Sequence, residues 1–300
     1  MSADKDDKKS AEGFGTTGHS WDGIEEWNNP LPRWWLWTFY ATIAWGLLYT
    51  ILYPAWPLVS QATGGLLGYS TRAEVAEDIA AAEAANADLR AELAEIDLTM
   101  IAENPEVHQF AISAGAAVFR TNCSQCHGSG AAGVQASGYP NLLDDAWLWG
   151  GQIEEIAYTV THGIRNEQSF DSRWSQMPAY GEFLEEPDID ALVAHVLTIS
   201  GRTEMADAGL LEAGAQLYAE QCTGCHMEDG TGDPTQGAPN LTDAIWLYGG
   251  DPETLKETIT YARFGIMPAW GEEYRPGGGG LSPSDINAVA AYVHQLGGGQ

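Results

Sequence analysis

Two stretches of the chain, NCSQCHG at 122–128 and QCTGCHM at 221–227, share the pattern Cys-x-x-Cys-His, and together they use all four cysteines of the 300 residues. They anchor an internal repeat. Gly115 lies eight residues before Cys123, and Gly214 lies eight before Cys222; Pro-Asn-Leu at 140–142 follows the first cysteine by 17 residues, as Pro-Asn-Leu at 239–241 follows the second. Trp147-Leu148 with Gly150-Gly151 matches Trp246-Leu247 with Gly249-Gly250, and MPAYG at 177–181 matches MPAWG at 267–271. Such self-similarity decides the architecture before any other signal. It predicts two copies of one unit, at 104–204 and 205–300. Each copy is expected to close with a helix: EEPDIDALVAHVLTIS carries Leu192, Val193, Val196 and Leu197 on one face, and SPSDINAVAAYVHQL carries Val289, Tyr292 and Val293. The remainder is Gly- and Pro-rich loop, too little core for so small a unit without something large in its middle.

Two thiols three positions apart on a helix face the same way, so both can add to the two vinyl groups of one porphyrin, with the adjacent imidazole directed at the iron. The spacing therefore predicts two covalently bound haem c groups, one on Cys123 and Cys126 with His127 as ligand, the other on Cys222 and Cys225 with His226. A zinc site built from both pairs is the alternative. With 95 residues between the pairs and a downstream repeat for each, a cofactor apiece is the better reading. Two identical local patterns also argue against a disulfide framework. Met177 and Met267 occupy the same place in the repeat, each before Pro-Ala and off any regular apolar helix. They are the predicted sixth ligands, since thioether opposite imidazole gives a coordinatively closed iron of raised reduction potential. Gap-filling in a core is the competing use of methionine. His162 in THGIR is a rival to Met177, its counterpart in the second copy falling at Phe264 or a neighbour, whereas His195 and His294 are expected to face solvent or a packing partner. Phe119 and Tyr218, four residues before Cys123 and Cys222, share the helical face of those cysteines and are expected to line the macrocycle.

From Trp34 to Tyr53 the chain runs uncharged as WWLWTFYATIAWGLLYTILY. At about 1.5 Å per residue this spans the roughly 30 Å hydrocarbon core of a bilayer. Trp34, Trp35 and Trp37 at one end and Tyr49, Tyr53 and Trp56 at the other suit the two headgroup belts, and Pro54 with Pro57 stops the helix. A cleaved signal has a shorter core and a small-residue cleavage site, so an uncleaved anchor is expected. Lys5, Lys8, Lys9 and Arg33 precede it, while only Arg72 and Arg90 follow within fifty residues, which places the N-terminus in the cytoplasm. Thr38, Thr42, Gly46 and Thr50 form a small-residue stripe that either admits a partner helix or back-bonds to its own. The organisation read from this is a cytoplasmic tail at 1–32, polar and disordered or ordered only on contact, then an anchor at 33–57. A linker and Ala/Glu-rich helical spacer at 58–103, read as solvated and without chemistry, leads to the two repeats.

The charge is strongly acidic, 42 Asp and Glu against 13 Lys and Arg, which excludes a nucleic-acid partner and suits a basic protein one. Residues 104–206 carry 13 acidic and 4 basic side chains and residues 207–300 carry 13 and 3. Solubility alone also accounts for such a surface.

Taken together, DGIEEWNNPLPRWWLWTFY, the anchor ending in YPAWP, the two Cys-x-x-Cys-His units, HGIR, MPAYG and MPAWG resemble the di-haem cytochrome c subunit of cbb3-type cytochrome c oxidase, the subunit III family often called CcoP or FixP. The resemblance covers most of the chain outside the Ala/Glu-rich spacer. With the residues' own pattern it gives a mainly α fold: one N-terminal transmembrane helix, where some members of the family carry a second, then a helical spacer and two tandem class I cytochrome c-like domains. It implies a bacterial inner-membrane protein with periplasmic haem domains and contact with membrane lipid. Electrons from a donor cytochrome c, or from the bc1 complex, would pass through it to a mono-haem cytochrome c subunit and a catalytic haem–copper subunit that reduces oxygen to water. It also implies the axial pairs His127 with Met177 and His226 with Met267. Two rivals stand against this reading. A di-haem peroxidase needs one iron open to substrate, which two methionine ligands deny, and the segment before the anchor disfavours the cytochrome subunit of a periplasmic dehydrogenase.

Overall fold

The protein, described by a computed structural model over residues 15–299, divides into two compact units that meet between Ala84 and Ala85. Lys5, Lys8 and Lys9, on which the orientation reading leans, lie outside the described residues.

In the N-terminal unit the tail is not structureless, as its polarity suggests. Strands β1 (Thr16–Trp21) and β2 (Ile24–Trp27) pair antiparallel, with Trp21 opposite Ile24. The two residues between them, Asp22 and Gly23, both have positive φ, 51° and 83°. An Asp-Gly pair in that conformation matches the twist of two paired strands and closes the hairpin. Helix α1 (Arg33–Leu52) follows as expected, 20 residues with a mean hydropathy of 1.3 and no buried side chain, long and apolar enough to cross a membrane. The hydroxyls of Thr38, Thr42 and Thr50 donate to the carbonyls of Trp34, Phe39 and Leu47. The stripe thus back-bonds along its own helix.

The spacer is two helices, α2 (Thr71–Ala85) and α3 (Ala87–Glu95), and only α2 is free of buried side chains. Helix α3 belongs to the C-terminal unit and corrects the expectation of a solvated spacer. Leu93 is fully buried, Arg90 pairs with Asp285 at 3.0 Å, and the Asn287 amide donates to the Leu93 carbonyl at 2.9 Å.

The rest of the C-terminal unit is built from α4 (Pro105–Val118), the short turn α5 (Ser124–His127), α6 (Ile153–His162) and α7 (Glu186–Ile199), followed by α8 (Leu211–Gln221), the short turn α9 (Thr223–His226), α10 (Pro252–Tyr261) and α11 (Pro283–His294). Their starts are written in the sequence: Asn104, Asp251 and Ser282 accept from the backbone of the first turn, and Pro opens α4, α10 and α11.

The packing does not follow the repeats. Helix α4, which opens the first repeat, crosses α11, which closes the second, and α8, which opens the second, crosses α7, which closes the first. The glycines at the crossings show why the contacts are so close. A methyl group on Gly115 would run into the Ala288 carbonyl and Tyr292, and one on Gly214 would meet the Ala191 carbonyl and His195. The unit therefore has two lobes. The first holds α3, α4, α6 and α11 around Phe119, Val107, Val160 and Val289; the second holds α7, α8 and α10 around Val193, Val196, Leu197 and Leu255. Burying each such side chain contributes about 1.5–3 kcal/mol. In chain order, residues 174–264 make the second lobe as one continuous insert, and the chain returns to finish the first. The two crossings run side by side at Ile164, which bridges Arg173 in parallel and Met267 antiparallel.

Candidate functional site

Each Cys-x-x-Cys-His stretch lies on a short helical turn, and the four cysteines form no disulfide with one another. Burial pushes the Cys123 and Cys222 thiols up to about 11. Behind each motif the Pro of the repeated Pro-Asn-Leu presents its carbonyl to the histidine, Pro140 O to His127 Nδ1 at 3.2 Å and Pro239 O to His226 Nδ1 at 3.0 Å. With Nδ1–H donated to that carbonyl, Nε2 carries the lone pair and is the ring atom available to a metal. Burial pulls both imidazole pKa values down and the prolyl carbonyl draws them partly back, a balance that favours the neutral ring.

Both motifs open on one cavity of about 320 Å³. Its wall includes Cys123, Cys126 and His127, Cys222, Cys225 and His226, and both Met177 and Met267. Leu192, Val196, Leu241, Ile245, Leu255 and Ile259 supply an apolar lining. Trp246 lines it too, and its buried Nε1 has no hydrogen-bond partner among the described residues. Free thiols on a helical turn, an oriented imidazole, an apolar cleft and an orphaned donor all fit a porphyrin bearing carboxylates.

The methionines are brought to the cavity, but by the opposite lobes from those the resemblance implies. The Met267 segment is sewn onto α6 of the first lobe: Ile164 and Met267 exchange backbone hydrogen bonds of 2.9 and 3.1 Å, and Trp270 N donates to Val160 O at 3.0 Å. Met267 packs on the same core as Phe119 and Cys123. The Met177 segment lies in the second lobe. Tyr180 donates to the Gln221 carbonyl beside Cys222 at 2.6 Å, and a methyl group on Gly181 would press on Thr260 of α10. Each closing segment is thus exchanged between the repeats, which sets Met267 in the lobe of His127 and Met177 in the lobe of His226.

Other expectations are adjusted by the same packing. His162 bonds Tyr274 Oη at 2.8 Å, packs at a tilt on the Tyr158 ring and is not among the cavity-lining residues. Its structural counterpart is Tyr261, since both residues end a helix just before a left-handed cap, Gly163 and Ala262. His195 packs on Tyr218 with ring centroids 4.8 Å apart. Tyr218 lines the cavity, whereas Phe119 is turned against Tyr292 in the helix crossing. Sequence reasoning missed the prolyl carbonyls and the aromatic after Met-Pro-Ala, although the repetition of both motifs marked them.

A helical fold with two Cys-x-x-Cys-His turns facing one apolar cavity defines a di-haem c-type cytochrome. The comparisons agree. Residues 13–60 match the N-terminal domain of cytochrome oxidase-cbb3, FixP; residues 110–196 match cytochrome c oxidase, cbb3-type, subunit III; and residues 211–297 match cytochrome c. The chain is 59% identical over 287 residues to the cbb3-type cytochrome c oxidase subunit CcoP of Cereibacter sphaeroides, covering 95% of each chain. It is 54% identical to that of Rhodobacter capsulatus, with 95% of this chain and 96% of the relative covered, and 48% identical to subunit FixP of Azorhizobium caulinodans, with 97% and 95% covered. The chain belongs to the CcoP/FixP family of cbb3-type cytochrome c oxidase subunits. It is a di-haem electron-transfer subunit of that oxidase, and its N-terminal helix is suited to anchor it in a membrane.

Proposed function

We propose that the C-terminal unit relays electrons between a donor cytochrome and the remaining subunits of the oxidase through two closed haem sites. The first is held by Cys123, Cys126, His127 and Met267, the second by Cys222, Cys225, His226 and Met177. When bound, each haem iron alternates between ferric and ferrous states and so carries one electron. The chain's own part is to fix and shelter that group. The thiols tether it, the prolyl carbonyls orient the imidazoles, and the thioethers deny the open position that peroxide or carbon monoxide needs. Tyr180 and Tyr218, their hydroxyls pushed up to about 12 by burial, stay neutral and tie down the backbone around the second motif. The finer assembly is part of the same proposal. The N-terminus is cytoplasmic, both lobes are periplasmic at a bacterial inner membrane, and electrons leave towards a mono-haem cytochrome c subunit and the haem–copper subunit.

The observation that carries the reading is the convergence of two histidines and two methionines on one cavity. Met177→Ala and Met267→Ala test it. The reduced parent should bind no carbon monoxide, and each variant should bind one equivalent, while both variants keep two covalent haems on a haem-stained gel. Carbon monoxide binding by the parent would remove the closed-site reading.

A further inference from the structure

The two lobes are related by a pseudo-two-fold axis, shown by reciprocal contacts. A methyl group on Gly138 of the first repeat would enter the Tyr248 ring of the second, and one on Gly237 of the second would enter the Trp149 ring of the first. Gly138 and Gly237 hold equivalent places in the repeat, as do Trp149 and Tyr248. Aligning the left-handed caps Gly163 and Ala262 makes Arg165 and Phe264 equivalent as well. These two touch each other, the guanidinium carbon lying 5.5 Å from the ring centroid. Equivalent residues that meet must sit on the axis. The axis therefore carries one cation, with an apolar ring as its counterpart.

Arg165 is held there deliberately. Its backbone is left-handed, φ 51°. Its Nε donates to the Ser175 carbonyl at 2.8 Å and its Nη1 to the Gly265 carbonyl at 3.0 Å, one on each chain crossing. Arg90, Arg173, Arg263 and Lys256 all have carboxylate partners, but among the described residues Arg165 has none. Arg33, Arg72, Arg120, Arg202 and Arg275 likewise have no carboxylate partner among the described residues, but of these unpaired cations only Arg165 lines the cavity. A half-buried guanidinium without a counter-ion is costly, and burial already pulls its pKa down. It lines the cavity that both Cys-x-x-Cys-His motifs share.

We propose that Arg165 is a positioning residue that takes a haem carboxylate at the seam between the lobes, so that one fixed charge serves both sites. The inference rests on the two-haem reading above. A guanidinium suits a carboxylate through paired N–H donors, and Nη2 is left over after the two carbonyls are served. A cation beside both sites favours the reduced state of each, since reduction adds negative charge, and polar contacts and burial are the levers by which a protein sets such potentials.

The test is a potentiometric titration of the full chain in detergent, after a haem-stained gel has shown two covalent haems. Fewer than two in the parent would count against the haem reading and not against Arg165. In Arg165→Gln both midpoint potentials should fall, while Arg165→Lys, which keeps the charge, should stay close to the parent. A merely structural clamp would shift thermal stability and leave the potentials alone; unchanged potentials in a folded Arg165→Gln protein with both methionine ligands in place overturn the proposal. Should that variant not fold, the parent decides. Its reduced-minus-oxidised infrared difference spectrum, with guanidino-labelled arginine, should show an arginine band that Arg165→Lys lacks, and a parent spectrum without such a band overturns the proposal equally.

Discussion

Gly115 is a residue whose smallness sets which helices may cross. Gly115→Ala drives a methyl group into the Ala288 carbonyl, and such overpacking costs about 1–3 kcal/mol, to be read as a fall in Tm. The exchange of closing helices makes a sharper prediction about coupling. A double-mutant cycle between Gly115→Ala and Tyr292→Ala should give a non-zero interaction energy, and one between Gly115→Ala and His195→Ala should give none, because His195 sits against Gly214 instead. Self-contained repeats would give the reverse. His162 illustrates a different point at this scale. Its bond to Tyr274 is a helix-end contact, so His162→Ala should lose about 1 kcal/mol of stability and leave the haem spectrum and carbon monoxide behaviour of the parent intact.

Among the elements, the bridge between Ile164 and Met267 shows how the second lobe was inserted into the first. These residues are antiparallel partners, so deleting 166–265 would join them through Arg165 and Ile266 as a two-residue hairpin. Arg165 already has the positive φ that such a turn requires. The shortened chain should fold as a single lobe with one covalent haem and an intact methionine ligand, seen as a low-spin spectrum that is silent to carbon monoxide. A folded shortened chain whose haem bound carbon monoxide would overturn this reading of the bridge. The sequence made much of this legible. The helices around Leu192, Val196 and Val289 and the long apolar helix α1 follow from spacing and capping alone. What it hid was the partner of each helix. The two repeats are alike, so the pattern that buries Val193 or Val289 is equally satisfied by either copy, and only the short crossings at 164–176 and 262–267 decide. The hairpin at 16–27 was missed for another reason: exposed Trp21, Ile24 and Trp27 give no buried face to read, and the Asp22-Gly23 turn was the one local signal.

For the molecule as a whole, the two lobes differ in charge. Residues 174–264, the continuous second lobe, carry 16 acidic and 3 basic side chains, one of the latter being Lys256, already paired with Glu186 and Asp190. The contrast is greatest at the haem motifs. Glu220 precedes Cys222 by two residues and Glu228 with Asp229 follows His226, all exposed, where the first motif has Thr121, Ser129 and Gly130. A basic donor is therefore steered to the edge of the second motif, and the attraction fades over a Debye length of about 8 Å at physiological salt. Rim charges act on the association rate more than on the bound complex. Glu220→Gln with Glu228→Gln should accordingly slow reduction of the full chain by a basic donor cytochrome by about tenfold at low ionic strength, and the difference from the parent should close as salt is raised. Thr121→Lys with Ser129→Lys makes the same change in net charge at the first motif and should slow it far less. Stopped-flow reduction of the three proteins across a salt series separates the outcomes, and equal slowing by both pairs would show that the donor reads the net charge of the chain and not the second lobe.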